Sequence, residues 1–183
     1  NISTEFYSNR TIETISFAKN ICMNSCLVTK GITACGFLNA RECVLQDVKC
    51  ANLTLQSTLI QNILCHQAEI NRSAVVGNIR AENSVCLKDH SEAISILAHH
   101  DILIQNSKVK GSAYSRTDCI IVDSSVKSVV ANSNVALNNS YVEERVMAYG
   151  TVIKCFNSTV DGTLICSNQR LSVVNCKINT LIL

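Results

Sequence analysis

Asn106-Ser107-Lys108-Val109, Asp123-Ser124-Ser125-Val126, Asn139-Ser140-Tyr141-Val142 and Asn157-Ser158-Thr159-Val160 are four copies of one pattern: Asn or Asp, serine, a variable residue, an apolar residue. The same serine, two positions before an apolar residue, recurs at Ser25, Ser57, Ser73 and Ser91, and Cys176 takes its place in the last copy. With the apolar residue as an anchor, anchors fall at Leu27, Cys43, Leu59, Val75, Ala93, Val109, Val126, Val142, Val160 and Ile178, 16 to 18 residues apart. Only the copy at Cys43, preceded by Arg41, lacks the small corner residue. A fixed short period means one supersecondary unit stacked many times. The chain reads as a solenoid.

Downstream of each anchor the chain alternates as a strand does, one face at the anchor, +2, +4 and +6. Position +4 carries Ile63, Ile79, Leu97, Ala113, Val130, Val146, Leu164 and Ile182, and +2 is often small, as in Gly77, Gly111 and Gly162. A second alternating pair precedes the next anchor, as in Ile102/Ile104, Cys119/Ile121, Val135/Leu137, Ile153/Cys155 and Leu171/Val173. Each coil therefore holds two or more short strands, joined by corners where Asn or Asp accepts left-handed backbone angles. An α-solenoid needs a longer repeat and apolar residues three and four apart. The expected fold is all-β, a single-domain parallel β-helix of about ten coils spanning 27–183, with 1–26 as an N-terminal partial coil or cap. Left-handed β-helices carry a six-residue beat that is missing here, so a right-handed winding is expected. The serines form a structural ladder of small residues at the corner.

With 183 residues, 47% of them apolar, no Pro and no linker-like stretch, the chain is expected to make one elongated domain with a sizeable core. The net charge of +2, scattered rather than striped, excludes nucleic acid as an expected partner. No apolar stretch approaches the length of a membrane span and no signal peptide is visible. Eleven cysteines leave at least one unpaired, and Cys43, Cys65, Cys86, Cys119, Cys155 and Cys166 fall at inward positions. Only Cys50 and Cys65 approach the matched placement in adjacent coils that a disulfide requires. Buried free thiols act as small apolar residues and point to a reducing, cytoplasmic setting, with an extracellular or cell-surface one as the alternative.

The densest set of metal-ligand types is His90, His99 and His100 with Asp89 and Asp101, His99 pointing inward and His100 outward. Adjacent side chains on opposite faces do not share one ion, and the nearest approach to a zinc-type pair is Cys22-x-x-x-Cys26 at a corner. No metal or cofactor is expected. Glycoside hydrolysis needs two carboxyl groups at a defined separation, whereas Asp47, Asp101, Asp161 and Glu144 fall at different coil positions. No catalytic residues are assigned and a non-enzyme is expected. Sequons open at Asn1, Asn9, Asn52, Asn71, Asn138 and Asn157, which an Asn/Ser-rich corner generates automatically.

A β-helix leaves strand edges and a slice of core open at its ends. The pattern runs Ile178-Asn179-Thr180-Leu181-Ile182-Leu183 with no Pro, charge cluster or helix after it, so this end reads as uncapped and suited to end-to-end contact. Thr11-x-Glu13-x-Ile15-x-Phe17 fits an eleventh, partial coil, and Phe6, Tyr7 and Phe17 either fold over the core as a cap or join a subunit contact. Head-to-tail contact gives open filaments, and like ends meeting give dimers or non-polar filaments.

Val75-Val76-Gly77-Asn78-Ile79, Val109-Lys110-Gly111-Ser112-Ala113 and Val160-Asp161-Gly162-Thr163-Leu164 resemble the V-x-G-x-I/V coils of the bactofilins, bacterial polymer-forming cytoskeletal proteins. The likeness covers about residues 59 to 183. It implies a right-handed β-helix that assembles end to end without nucleotide, often at the cytoplasmic membrane face. The chain departs from that family in having more coils, no Pro-rich tails, fewer Gly and acidic residues, many more Cys and no membrane-targeting segment. The function expected is a non-enzymatic structural rod whose partner is itself, as a homo-oligomer or filament. The alternatives are a surface or secreted binding module, such as an adhesin or host-directed protein, using a flank of the rod, and a polysaccharide-active enzyme.

Overall fold

The computed structural model describes residues 3–150, 152–166 and 170–183, without the side chains of 17 and 18. Every regular element among them is a strand. The order is β1 (Thr4–Ser8), β2 (Thr11–Ala18), β3 (Asn20–Asn24), β4 (Leu27–Ala34), β5 (Phe37–Arg41), β6 (Val44–Gln56), β7 (Leu59–Asn71), β8 (Ala74–Ala81), β9 (Val85–Lys88) and β10 (Glu92–Ala98). It continues with β11 (Ile102–Gln105), β12 (Lys108–Ser115), β13 (Cys119–Val122), β14 (Ser125–Ala131), β15 (Val135–Asn138), β16 (Tyr141–Ala148), β17 (Val152–Phe156), β18 (Thr159–Cys166), β19 (Arg170–Val174) and β20 (Lys177–Ile182). Each strand pairs in parallel with its counterpart one coil away, as β12 does with β10 and β14. The 13-residue strands β6 and β7 each run through both positions of their coil. The chain is a parallel β-solenoid. Residues 4–18 belong to the same ladders, β1 on β3 and β2 on β4, and make an additional coil. At about 4.8 Å per coil the rod is roughly 50 Å long.

The core is a set of one-residue-per-coil stacks. One runs through Val28, Leu45, Ile60, Val75, Ala93, Val109, Val126, Val142 and Val160, all buried. In the first three coils the inward residue thus lies one or two positions after the expected anchor: Leu27 and Leu59 face outward and are about two-fifths exposed, and Cys43 stands two before Leu45. A second stack holds Ile32, Val48, Ile63, Ile79, Ile96, Ala113, Val129, Val146 and Leu164. Here Ile96 and Val129 replace the expected Leu97 and Val130, and Leu181, not Ile182, aligns with Leu164. The cause is a bulge just after the anchor, recorded as a register shift between Val109 and Ser112 and between Val126 and Ser128. Some coils place two residues between the two inward positions and others three, so strict alternation fails there. The same offset leaves Ala98 inward and His99 only half-buried, against the inward placement expected of His99. Cys86 is likewise outward in β9, between buried Val85 and Leu87.

The glycines at +2 serve the bulge rather than the interior. A Cβ on Gly111 would stand 2.8 Å from the carbonyl oxygen of Ile94 in the preceding coil, closer than real Cβ atoms approach. Gly111→Ala must displace one strand from the other, a cost of about 1–3 kcal/mol for overpacking. Thermal melting followed by circular dichroism is expected to fall by roughly 2–10 °C; an unchanged melting temperature refutes the tight approach.

Candidate functional site

Among the described residues twelve non-glycine residues have positive φ, including Ser25, Glu42, Ser57, Arg72, His90, Asn106, Asp123, Asn139, Asn157 and Asn175, one per coil at the same corner. The left-handed turn swings the next residue inward. Those residues are Cys26, Cys43, Thr58, Ser73, Ser91, Ser107, Ser124, Ser140, Ser158 and Cys176. The corner ladder therefore has ten rungs, and Ser25 and Ser57 are not among them: at φ 52° and 50° they make the turn, and Cys26 and Thr58 fill the rung. The rule of a serine two before an apolar residue chose Leu27 and Leu59 as partners, whereas Val28 and Ile60 are the buried residues.

Each rung bonds twice. The backbone N–H of one rung donates to the side chain of the next: Thr58 to Ser73 Oγ at 3.0 Å, Ser73 to Ser91 at 3.1 Å, Ser91 to Ser107 at 3.2 Å, Ser107 to Ser124 at 3.1 Å. Ser124 N–H donates to Ser140 Oγ at 3.3 Å and Ser140 N–H to Ser158 Oγ at 3.1 Å. Sulfur does the same work at the ends, with Cys26 N–H to Cys43 Sγ and Ser158 N–H to Cys176 Sγ, both 3.4 Å. The side chain in turn donates to a carbonyl at the strand end before it, as Ser124 does to Val122 O at 2.6 Å. A buried N–H turned along the rod axis has no carbonyl opposite it, and an unpaired one is costly. A short side chain able both to accept and to donate meets that need, which is why Ser, Thr and Cys alone occupy the ten rungs.

Among the shallow grooves on the rod's flanks, two follow its polar rows. One, about 560 Å³, follows the turn residues His90, Asn106, Asp123, Asn139 and Asn157. The larger, about 990 Å³, lies along the bulge row, where Asn62 Nδ2 donates to Asp47 Oδ1 at 2.8 Å and Asn62 Oδ1 accepts from Asn78 N–H at 2.9 Å, with Lys49 and Arg80 at its rim. Among the described residues no three His, Cys, Asp or Glu side chains come together as a metal site. Asp101 instead accepts from Thr117 Oγ1 at 2.6 Å and from Asp118 N–H at 3.3 Å, a corner-holding role. Among the described residues no disulfide joins two cysteines. Cys50 and Cys65 are register partners, and burial pushes both thiols up to about 12. Burial has the same effect on Cys119 and Cys155, each at about 12. No helix among the described residues is long and apolar enough to cross a membrane.

The two ends differ. In the last coil Leu171 and Val173 continue the inward pair Ile153 and Cys155, and Ile178 and Leu181 continue Val160 and Leu164. Leu181, Ile182 and Leu183 are 45%, 49% and 81% exposed, with Val173 and Val174 bare beside them. In the first coil Tyr7 is partly buried against the core and donates to Glu5 Oε2 at 2.5 Å, a bond that raises the phenol's pKa. Phe6 points outward on the flank, 76% exposed. Phe17's side chain and the sequon residue Asn1 lie outside the described residues.

These features define a β-solenoid held by a corner ladder along nearly its whole length. Comparison with protein-family models, with curated proteins and with solved structures finds no match. The likeness to bactofilin coils thus rests on the V-x-G-x-I/V pattern alone.

Proposed function

We propose that this chain is a non-enzymatic structural rod that self-associates through the face presented by β19 and β20. The observation that carries the reading is that Leu171, Val173, Ile178 and Leu181, whose counterparts in the coil below are buried, together expose a section of the core. The surface that best complements such a section is another coil of the same ladder, because only it matches both the strand spacing and the apolar stacks. The unpaired outer edges of β19 and β20 reinforce the contact, as open edges do in sheets generally.

Sedimentation velocity of the 183-residue chain under reducing conditions tests the reading. The chain is expected to associate at micromolar concentration, and Leu181→Asp is expected to weaken association at least 100-fold. A monomeric chain, or association that Leu181→Asp leaves intact, overturns it. A second reading, a binding module using a flank, rests on the groove of about 990 Å³ and predicts a monomer.

A further inference from the structure

Glu5 and Arg10 stand where every later coil carries an inward-facing apolar residue or a corner rung. Glu5 is the register partner of Ile21, the start of the stack that continues through Leu38 and Leu53. Arg10 follows the left-handed Asn9 as Cys26 follows Ser25, and precedes Ile12, the partner of Val28, by two. It therefore holds the first rung of the corner ladder, the position occupied elsewhere only by Ser, Thr or Cys. Both side chains are exposed in the first coil. Charges at inward positions of an end coil are a known means of stopping sheet growth, and a polar outer face is what terminal repeats of solenoids carry.

We infer that the first coil is a charged cap that blocks stacking on its outer face, so that association, on the reading above, closes as a two-fold pair of rods joined through β19 and β20. Head-to-tail stacking in register would set Glu5 over Leu171 and Arg10 over Cys176, burying one charge in an apolar stack and the other in the hydrogen-bonded corner ladder. The tail-to-tail arrangement buries none of these. Its two copies use the same patch, and β20 meets β20 of the other copy antiparallel, an isologous contact that does not propagate through that face.

The test compares the 183-residue chain with Glu5→Leu/Arg10→Ser, which restores the residue types of the later coils. Mass is read by sedimentation, shape by negative-stain electron microscopy and strand content by circular dichroism. The native chain is expected to be a dimer at all concentrations above its dissociation constant, seen as rods of roughly twice 50 Å. The double variant is expected to form filaments whose mean length grows with concentration. Hydrogen exchange supplies a second readout: amides of β19 and β20 slow at least tenfold on association, and those of β1 and β2 do not change. Filaments formed by the native chain overturn the cap while leaving self-association standing. A double variant that retains its strand content yet stays dimeric, or protection of β1 and β2, also overturns the cap. A monomeric native chain overturns the self-association on which it rests.

Discussion

Raised from pH 9 to pH 12 under reducing conditions, the rod is expected to unfold cooperatively, with its circular dichroism lost between about pH 10 and pH 12. The cause is the set of thiols that burial holds at about 12: Cys50, Cys65, Cys119 and Cys155. An unfolded cysteine ionises near 9, so above that pH the unfolded chain releases protons that the folded chain keeps. Stability is unaffected below the unfolded pKa and falls as pH climbs toward the folded one. Each thiol removes about 1.4 kcal/mol per pH unit in that window, so four together remove roughly 5 kcal/mol per unit. That is comparable to the whole stability of an ordinary domain within two or three units.

The neighbouring coils provide a control. Cys50 and Cys65 sit in a row whose flanking members are Ala34, Ala81 and Ala98, all buried. Alanine therefore fits the row, and Cys50→Ala/Cys65→Ala is expected to keep the fold at neutral pH while halving the alkaline slope. Thiolate absorbance checks the mechanism independently: Cys50, Cys65, Cys119 and Cys155 should stay protonated up to the transition and ionise with it. A rod that keeps its strand signal at pH 12, or a double variant with the parent's slope, would sink the argument.

The solenoid was legible because its period is carried by the corner, which tolerates few residue types. From Val75 onward the inward anchors coincide with the sequence pattern, since there the turn residue is Arg, His, Asn or Asp and the rung is Ser or Cys. Upstream the pattern is ambiguous. Ser25-Cys26-Leu27-Val28 offers two small residues and two apolar ones, and either pairing satisfies the rule. The signal that resolves it is the spacing backward from Cys43 and Thr58, which becomes readable only once Cys and Thr are admitted as rungs. The bulges left a fainter trace: Gly77, Gly111 and Gly162 mark coils with the longer spacing, but the coil from Val142 to Val146 has that spacing without a glycine. The charged first coil was equally readable in principle: Glu5 and Arg10 align with Ile21 and Cys26 once the eleventh coil is placed in register, but a weak period hid that alignment.

Ser124 is the rung at which the ladder's energetic weight can be measured, since it lies mid-rod and its side chain accepts from Ser107 N–H at 3.1 Å and donates to Val122 O at 2.6 Å. Ser124→Val leaves both groups without that partner in a dry corner and adds volume there. An orphaned buried donor costs about 1–3 kcal/mol and overpacking about 1–3 kcal/mol more. A loss of roughly 2–6 kcal/mol is expected, lowering the melting temperature by about 5–20 °C. Ser124→Cys and Ser124→Thr reproduce rungs already present at Cys43 and Thr58, where Cys26 N–H reaches sulfur at 3.4 Å and Cys43 N–H reaches Thr58 Oγ1 at 3.3 Å. Each is expected to cost less than about 1 kcal/mol, because the accepting atom is retained. Because a solenoid's coils contact only their neighbours, the damage is local first. Hydrogen exchange at Ser107 should therefore quicken in the valine variant more than exchange at Thr58, three rungs away. Equal melting temperatures for the valine, cysteine and threonine variants would show that the corner is held by packing alone, and the repeated serine would then need another explanation.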